Sequence, residues 1–266
     1  MSKRDIKQFT DKNRLAWEEV NERHQAVKKH IKKQFIDDQD FLALDDNLRD
    51  RLIELDIKDR SVLHLLCNDG EELMSAKRLG AGECLGVDIS GTAIESARVL
   101  ATALQNGVRF ERSDVYDVNL EMLGKPFERA MITVGALCWL PDLNRFFAHL
   151  NSLLAENARL LIHEMHPFTQ ILETDFTIFP DANYFTKKTL SGAGDLDYLG
   201  NTEYQGKTHY EFAYTLSDLF TVLLNNGFAI KAFYEYPTDI SNIYTDAAKD
   251  ARSLPLSCSV IAEKVL

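Results

Sequence analysis

SVLHLLCNDGEELMSAKRLGAGECLGVDIS, residues 61–90, is the stretch from which the fold is read. Ser61–Leu66 is a short apolar run, long enough for a buried strand and too short for a helix. A tight turn follows at Asn68, Asp69 and Gly70. Glu71–Leu79 then reads as a helix with two acids in its first turn, where the helix dipole favours negative charge. After Gly80 and Gly82 a second strand, Glu83–Val87, delivers Asp88 at its carboxyl end. This is a strand–turn–helix–strand unit whose polar residues sit at the carboxyl rim, where open parallel sheets bind nucleotide-like ligands. Asp88 follows Gly70 by 18 residues, near the roughly 20-residue offset at which a carboxylate meets a ribose diol in such units. The plainer alternative is an aspartate that only caps the next helix.

The whole chain narrows the function classes. Its 266 residues hold one large α/β domain or a domain plus a cap, and 45% hydrophobic residues are enough for a full core. Thirty Lys and Arg against 41 Asp and Glu leave a formal charge of −11, a surface that repels phosphate backbones, so no nucleic-acid partner is expected. The basic cluster Lys28–Lys33 reads as the solvated face of a helix. Cys67, Cys84, Cys138 and Cys258 are dispersed without a CxxC, so free thiols in a reducing, cytoplasmic setting are expected rather than disulfides or a metal site. Met1–Trp17 is charged throughout, unlike a signal peptide. The longest apolar run, Ala130–Leu140, falls short of the ~20 residues a membrane span needs.

Outward from the opening unit, residues 10–35 read as a charged helical arm with Thr10 as N-cap and Trp17 as its apolar anchor. A second helix over 41–55 repeats leucine at helical spacing. Thr92–Glu95 reads as a capping box starting the helix after Asp88, with Gly107 as its left-handed stop. Strand three, Val108–Arg112, ends in Ser113-Asp114-Val115, and strand four, Ala130–Val134, runs into GALCWLP. Strand five, Arg159–His163, ends in Glu164-Met165-His166-Pro167. The rhythm breaks over Phe168–Tyr214, whose ten aromatic residues and missing helical period suggest a β-rich cap. Thr215–Asp218 is another capping box, and strands Phe228–Tyr236 and Ser257–Lys264 bring the count to seven.

Together these residues resemble the class I S-adenosylmethionine-dependent methyltransferases over roughly 55–264. VLHLLCNDG, GVDIS and RSDVYDV stand where that family places its cofactor turn, its ribose acid and its adenine acid. GALCWLPDL and HEMHPF are similar to a subgroup acting on small molecules. The resemblance implies a seven-stranded, mostly parallel Rossmann-like methyltransferase sheet with helices on both faces, plus an N-terminal helical arm over 1–55 and a substrate cap over 168–214. The cofactor-binding core would cover 56–167, and 215–266 would complete the sheet. It implies S-adenosylmethionine as cofactor, S-adenosylhomocysteine as product and a small-molecule N or O acceptor. One departure stands out: Leu66 and Asn68 occupy positions where the family commonly has glycine, leaving Gly70 alone. A non-catalytic binding module and a nicotinamide-dependent oxidoreductase are the competing readings, the latter weakened by the missing GxGxxG.

The resemblance places cofactor contacts at Leu66, Cys67, Asn68 and Gly70, at Asp88 and Ile89, at Ser113, Asp114 and Val115, and at Thr133, Val134 and Gly135. Gly70 suits a backbone that must approach a ligand closely, and Cys67 reads as a small buried filler rather than a nucleophile. On strand five, alternation puts Glu164 and His166 on one face and His163 on the other. Glu164 and His166 are the acid–base candidates, with hydrogen bonding to the loop before Pro167 as the plainer alternative. Trp17, Trp139, Tyr184, Tyr204, His209 and Tyr210 are candidate acceptor contacts through aromatic attraction to a cation, or else part of the cap's own core. HEMH lacks the HExxH zinc spacing, so no metal is expected.

Overall fold

The structure is a computed structural model that describes residues 1–193, 196–197, 206–241, 244 and 254–265. Three helices lead: α1 (Lys3–Val27), α2 (Lys29–Asp37) and α3 (Asp46–Glu54). An alternating core follows: β1 (Val62–Leu65), α4 (Glu71–Arg78), β2 (Cys84–Asp88), α5 (Gly91–Leu104), β3 (Arg109–Arg112), α6 (Leu120–Leu123), β4 (Phe127–Ile132), α7 (Leu143–Leu153) and β5 (Leu154–Met165). After the cap strands β6 (Thr189–Ala193) and β7 (Thr208–Phe212) come α8 (Leu216–Asn225), β8 (Phe228–Tyr236) and β9 (Ser257–Lys264).

Seven strands form one sheet in the order β3-β2-β1-β4-β5-β9-β8. The first five are parallel, and β9 joins β5 and β8 antiparallel. Each crossover from β1 to β2 to β3 runs toward one edge, whereas β4 and β5 build toward the other. The order therefore reverses between β1 and β4, and a crevice opens at that switch point on the carboxyl rim. Side-chain alternation splits the core into two layers. Leu63, Leu65, Leu85 and Ile132 pack toward α7 and α8, while Val62, Cys84, Met131 and Leu161 pack toward α3, α4 and α5. The two helical layers cover both faces, as a largely parallel sheet requires. No helix among the described residues is long and apolar enough to cross a membrane.

Three local expectations are corrected. Ser2, not Thr10, caps α1, in a reciprocal box with Asp5. The buried stripe of α1 includes Thr10, Asn13, Asn21 and His24, polar residues that an apolar-periodicity reading passes over. The helix after Asp88 starts two residues earlier than the Thr92–Glu95 box: Ser90 is its cap, accepting from the Ala93 amide. The α5 stop falls on Gln105, which takes the left-handed conformation itself at φ 48°, two residues before Gly107. The box at Thr215–Asp218 forms as read.

The cap hairpin β6–β7 is a separate antiparallel sheet that packs on α1. The Asn13 amide treats β7 as a strand partner: its Oδ1 accepts from Tyr210 N at 2.7 Å and its Nδ2 donates to Tyr210 O at 2.9 Å. Phe9 lies edge-on to both Tyr210 and Phe212. The arm and the cap thereby form one roof above the rim.

Candidate active site

The crevice is a cavity of about 730 Å³ between the rim and this roof, within the roughly 300–1,000 Å³ typical of small-ligand sites. From the rim it is bordered by Leu66 and Asn68 after β1, Asp88 and Ile89 after β2, Asp114 and Val115 after β3, and Val134 and Gly135 after β4. The roof contributes Thr10, Asn13 and Trp17 from α1, Lys28 at the α1–α2 junction, and Glu211 from β7.

The turn after β1 keeps a glycine-like backbone without the glycines. Leu66, Asn68 and Gly70 all take positive φ, at 55°, 48° and 77°. Left-handed backbone costs a non-glycine residue roughly 1–2 kcal/mol, so strain is stored at two points of the turn, either side of Cys67. Asp88 helps to hold it: its Oδ2 accepts from Asn68 N at 2.9 Å and its Oδ1 from Ser90 N at 2.8 Å. Burial raises the Asp88 pKa despite those bonds. Gly70 itself does not border the cavity. A Cβ there would lie 2.4 Å from the Phe110 ring, so the glycine is required by packing of the turn on β3 rather than by a ligand.

Cys67, Ser113 and Thr133 likewise stand behind the cavity wall rather than on it. Burial and the nearby Asp88 carboxylate push the Cys67 thiol well up, which fits an inert filler. The Ser113 hydroxyl donates to Asp114 O. Thr133 Oγ1 pairs with His64 Nε2 at 2.9 Å, and full burial lowers the His64 pKa to about 3, leaving it neutral beneath the floor.

Asp114 is buried, with Oδ1 accepting from Tyr116 N and Oδ2 accepting from the Thr10 hydroxyl at 2.6 Å. Lys28 reaches down to Asp69 at 3.2 Å and Glu71 at 3.1 Å. Asp69 and Glu71 are buried, and the Glu71 Oε1 has no hydrogen-bond partner among the described residues. Burial, with Asp69 adding repulsion and Lys28 opposing, pushes the Glu71 pKa up to about 7.

Strand five turns its other face to the cavity. Neither Glu164 nor His166 borders the cavity; His163 and Met165 do. The Glu164 carboxylate is a clamp, accepting from the amides of Gly135, Ala136, Leu137 and Met165. Burial raises its pKa against those four bonds. His166 ends the strand and caps a 3₁₀ turn through Nδ1, which accepts from Phe168 N, while Nε2 lies 3.1 Å from Glu235. Desolvation by burial lowers its pKa, with Glu235 opposing. His163 instead joins Asp45 Oδ2 at 3.1 Å and Ser259 Oγ at 2.8 Å.

Of the aromatic candidates, Trp17 and Trp139 border the cavity and meet edge to face, centroids 5.3 Å apart. His209 sits behind Trp139 and beside Glu211, Tyr210 packs on Phe9, and the Tyr184 hydroxyl accepts from Leu216 N; none of the three reaches the cavity. Tyr204 lies outside the described residues. Lys28, Glu71, His163 and Glu211 were not read from the sequence as site residues. Lys28 is hidden in a basic run, and Glu211 on β7 falls in a segment without a clear period.

A family model described as a methyltransferase domain matches residues 62–157, the stretch from β1 into β5 that carries the rim acids. Over that stretch the chain is similar to a methyltransferase domain. A ribosomal protein L11 methyltransferase from Deinococcus radiodurans is 38% identical over 165 residues, covering 60% of this chain and 51% of that protein. The chain thus spans about half the length of this curated relative. Among solved structures, an S-adenosylmethionine dependent methyltransferase from Mesorhizobium loti superposes with a TM-score of 0.61 at 20% identity, over 82% of this chain and 96% of that one. A geranyl diphosphate C-methyltransferase from Streptomyces coelicolor, solved with S-adenosyl-L-homocysteine, gives 0.56 at 12% identity, over 82% and 75%. The rim acids Asp88 and Asp114 lie in the part of the chain that the family model covers, and the arm and cap lie outside the match.

Proposed function

We propose that the protein transfers a methyl group from S-adenosylmethionine to a small-molecule N or O acceptor. The observation that carries the reading is the placement of Asp88 and Asp114 on one cavity at the carboxyl ends of adjacent strands β2 and β3.

The residues present suit the cofactor. Its ribose diol, exocyclic amine, α-ammonium and sulfonium ask for hydrogen-bond acceptors or negative charge, and its α-carboxylate asks for a cation. Asp88 would take the ribose hydroxyls, a carboxylate being able to accept about four hydrogen bonds and Asp88 having two filled from the protein. Asp114 and the Val115 backbone would take the adenine edge. Glu71, with its unpartnered oxygen, and Lys28 offer opposite charges at the β1 end. Val134 and Gly135 would form the floor, held level by Glu164.

When bound, the cofactor supplies a methyl group already activated as a sulfonium. The chain's task is to align the acceptor and exclude water. The roof of α1 and the cap hairpin covers part of the cavity, and Trp17 and Trp139 give it apolar walls. A recessed cleft of this size supports a small acceptor over a protein surface, although the L11 relative is named for a protein substrate. Four free thiols suit a reducing cytoplasm.

Titration calorimetry with S-adenosylhomocysteine tests this directly. Binding is expected, and Asp88→Ala should weaken it at least a hundredfold. A full chain that shows no heat with either S-adenosylmethionine or S-adenosylhomocysteine refutes the proposal.

A further inference from the structure

We infer that the acceptor is an organic amine, held as its cation and relieved of a proton by Glu211. The inference rests on the methyl-transfer reading and adds the substrate class.

Strand order locates the acceptor. The rims of β3, β2 and β1 carry Asp114, Asp88 and Asn68, the stations assigned to the cofactor. The rest of the wall includes, over β4 and β5 and beneath the cap, Cys138, Trp139, His163, Met165 and Glu211, with Asp45 and Asp239 beside them. The Trp17–Trp139 pair, packed with Leu196, is one apolar part of it.

Charge then selects the acceptor. Among the described residues, seven Asp and Glu side chains border the cavity against one lysine, Lys28, itself committed to Asp69 and Glu71. Glu71 is 4% exposed and has one oxygen with no partner among the described residues. A cleft with low-dielectric walls focuses such a field, favouring cations and repelling carboxylates and phosphates. The indole pair adds cation–π attraction of about 0.5–2 kcal/mol for a cation at its face.

Among the acids on the acceptor side, Glu211 alone accepts no backbone N–H among the described residues. Asp239 accepts from Ser241 and from Tyr244 N. Asp45 accepts from Leu48 N and pairs with His163. Glu211 has as its side-chain partner among the described residues only His209, whose Nε2 lies 3.4 Å from Oε1. His209 is buried and pinned edge-on by Trp139, ring centroids 5.7 Å apart. The carboxylate is thus steadied from behind and open in front. Its charge also reaches Cys138, whose thiol is pushed well up by burial first, then by Glu211 and Glu164, so the thiol stays protonated.

The step balances without another reagent. The ammonium of the acceptor gives one proton to Glu211, which is 37% exposed on its side chain and passes it to water. The freed nitrogen lone pair forms the N–C bond as the methyl–sulfur bond breaks. The sulfur keeps that electron pair as a neutral thioether.

Calorimetry on the full chain saturated with S-adenosylhomocysteine, titrated with benzylamine, benzyl alcohol and benzoate, tests the inference with three probes of one shape. Benzylamine should bind at least tenfold more tightly than either of the others. Glu211→Gln should erase that preference while S-adenosylhomocysteine affinity stays within twofold of wild type. Equal binding of the three probes, no binding of benzylamine, or an unchanged preference in Glu211→Gln would each overturn the amine assignment and leave the cofactor reading standing. Loss of S-adenosylhomocysteine binding by the wild-type chain would overturn both.

Discussion

The hydroxyl of Thr10 lies 2.6 Å from Asp114 Oδ2 and donates to it across 104 residues of sequence. It ties the N-terminal helix to the acid after β3. The same helix pair reaches the rim again through Asn21 to Ser90 and Lys28 to Asp69. The arm is therefore structurally part of the cavity wall rather than an appendage to it.

Thr10→Val keeps the side-chain shape and removes the bond. Hydrogen bonds to charged groups contribute about 1.5–3 kcal/mol when buried, and both ends here are buried. The urea midpoint should fall accordingly, and S-adenosylhomocysteine should bind three- to tenfold more weakly as the roof loosens over Asp114. Lys7→Ala, removing an exposed ammonium 3.6 Å from the same carboxylate, should change either value little. Equal effects of the two substitutions would refute the assignment of the tether to Thr10.

Gly70→Ala should be costly for a reason unrelated to ligand binding. The added methyl meets Phe110 at 2.4 Å, at φ 77°. Overpacking costs about 1–3 kcal/mol and left-handed alanine about 1–2, so a loss of about 2–5 kcal/mol in urea denaturation is expected. Adding Phe110→Leu should restore part of it, because only the steric share is relieved. A double mutant no more stable than expected from the two single changes would place the cost entirely in the backbone.

The parallel core was legible because its rules are local. The apolar run at 61–66, the acids ending β2 and β3, and the last two strands were each readable from neighbouring residues. What escaped was set by contacts remote in sequence. Thr10 resembled a cap by its type, yet its partner is Asp114. Alternation placed His163 opposite Glu164 correctly, but could not say which face met the cavity, since that depends on where the 135–137 loop lies. Leu66 and Asn68 looked like a broken glycine motif; the backbone instead keeps the left-handed turn and tolerates the strain.

Glu164→Gln separates clamp from catalyst. Each carboxylate oxygen accepts backbone N–H donors, and a Gln amide would turn an NH₂ group toward at least one of them. A loss of about 2–4 kcal/mol in stability is expected, from charge-assisted bonds removed and a donor facing a donor. Cofactor affinity should fall with it, since Gly135 borders the cavity. His166→Ala, off the cavity wall, should leave S-adenosylhomocysteine binding within twofold. If His166→Ala abolished methyl transfer with binding and stability intact, the placement of acid–base chemistry away from His166 would fail.

Glu71 predicts a pH dependence of defined sign. Its folded-state pKa of about 7 stands above the unfolded value near 4.5. The folded chain therefore holds a proton that the unfolded chain releases between those values. The stability associated with this group is fully present below about pH 4.5 and is lost as pH rises through about 7. Glu71→Gln removes the titration but keeps the shape. Relative to the mutant, wild type should become less stable by about 1–3 kcal/mol between pH 5 and pH 8. Lys28 works the other way: burial opposes its charge, but Asp69 and Glu71 outweigh that and raise its pKa, so it remains charged across the window. Paired denaturation curves of wild type and Glu71→Gln at several pH values provide the check. Parallel stability profiles would mean that Lys28 fully neutralises Glu71 and that its unpartnered oxygen carries no cost.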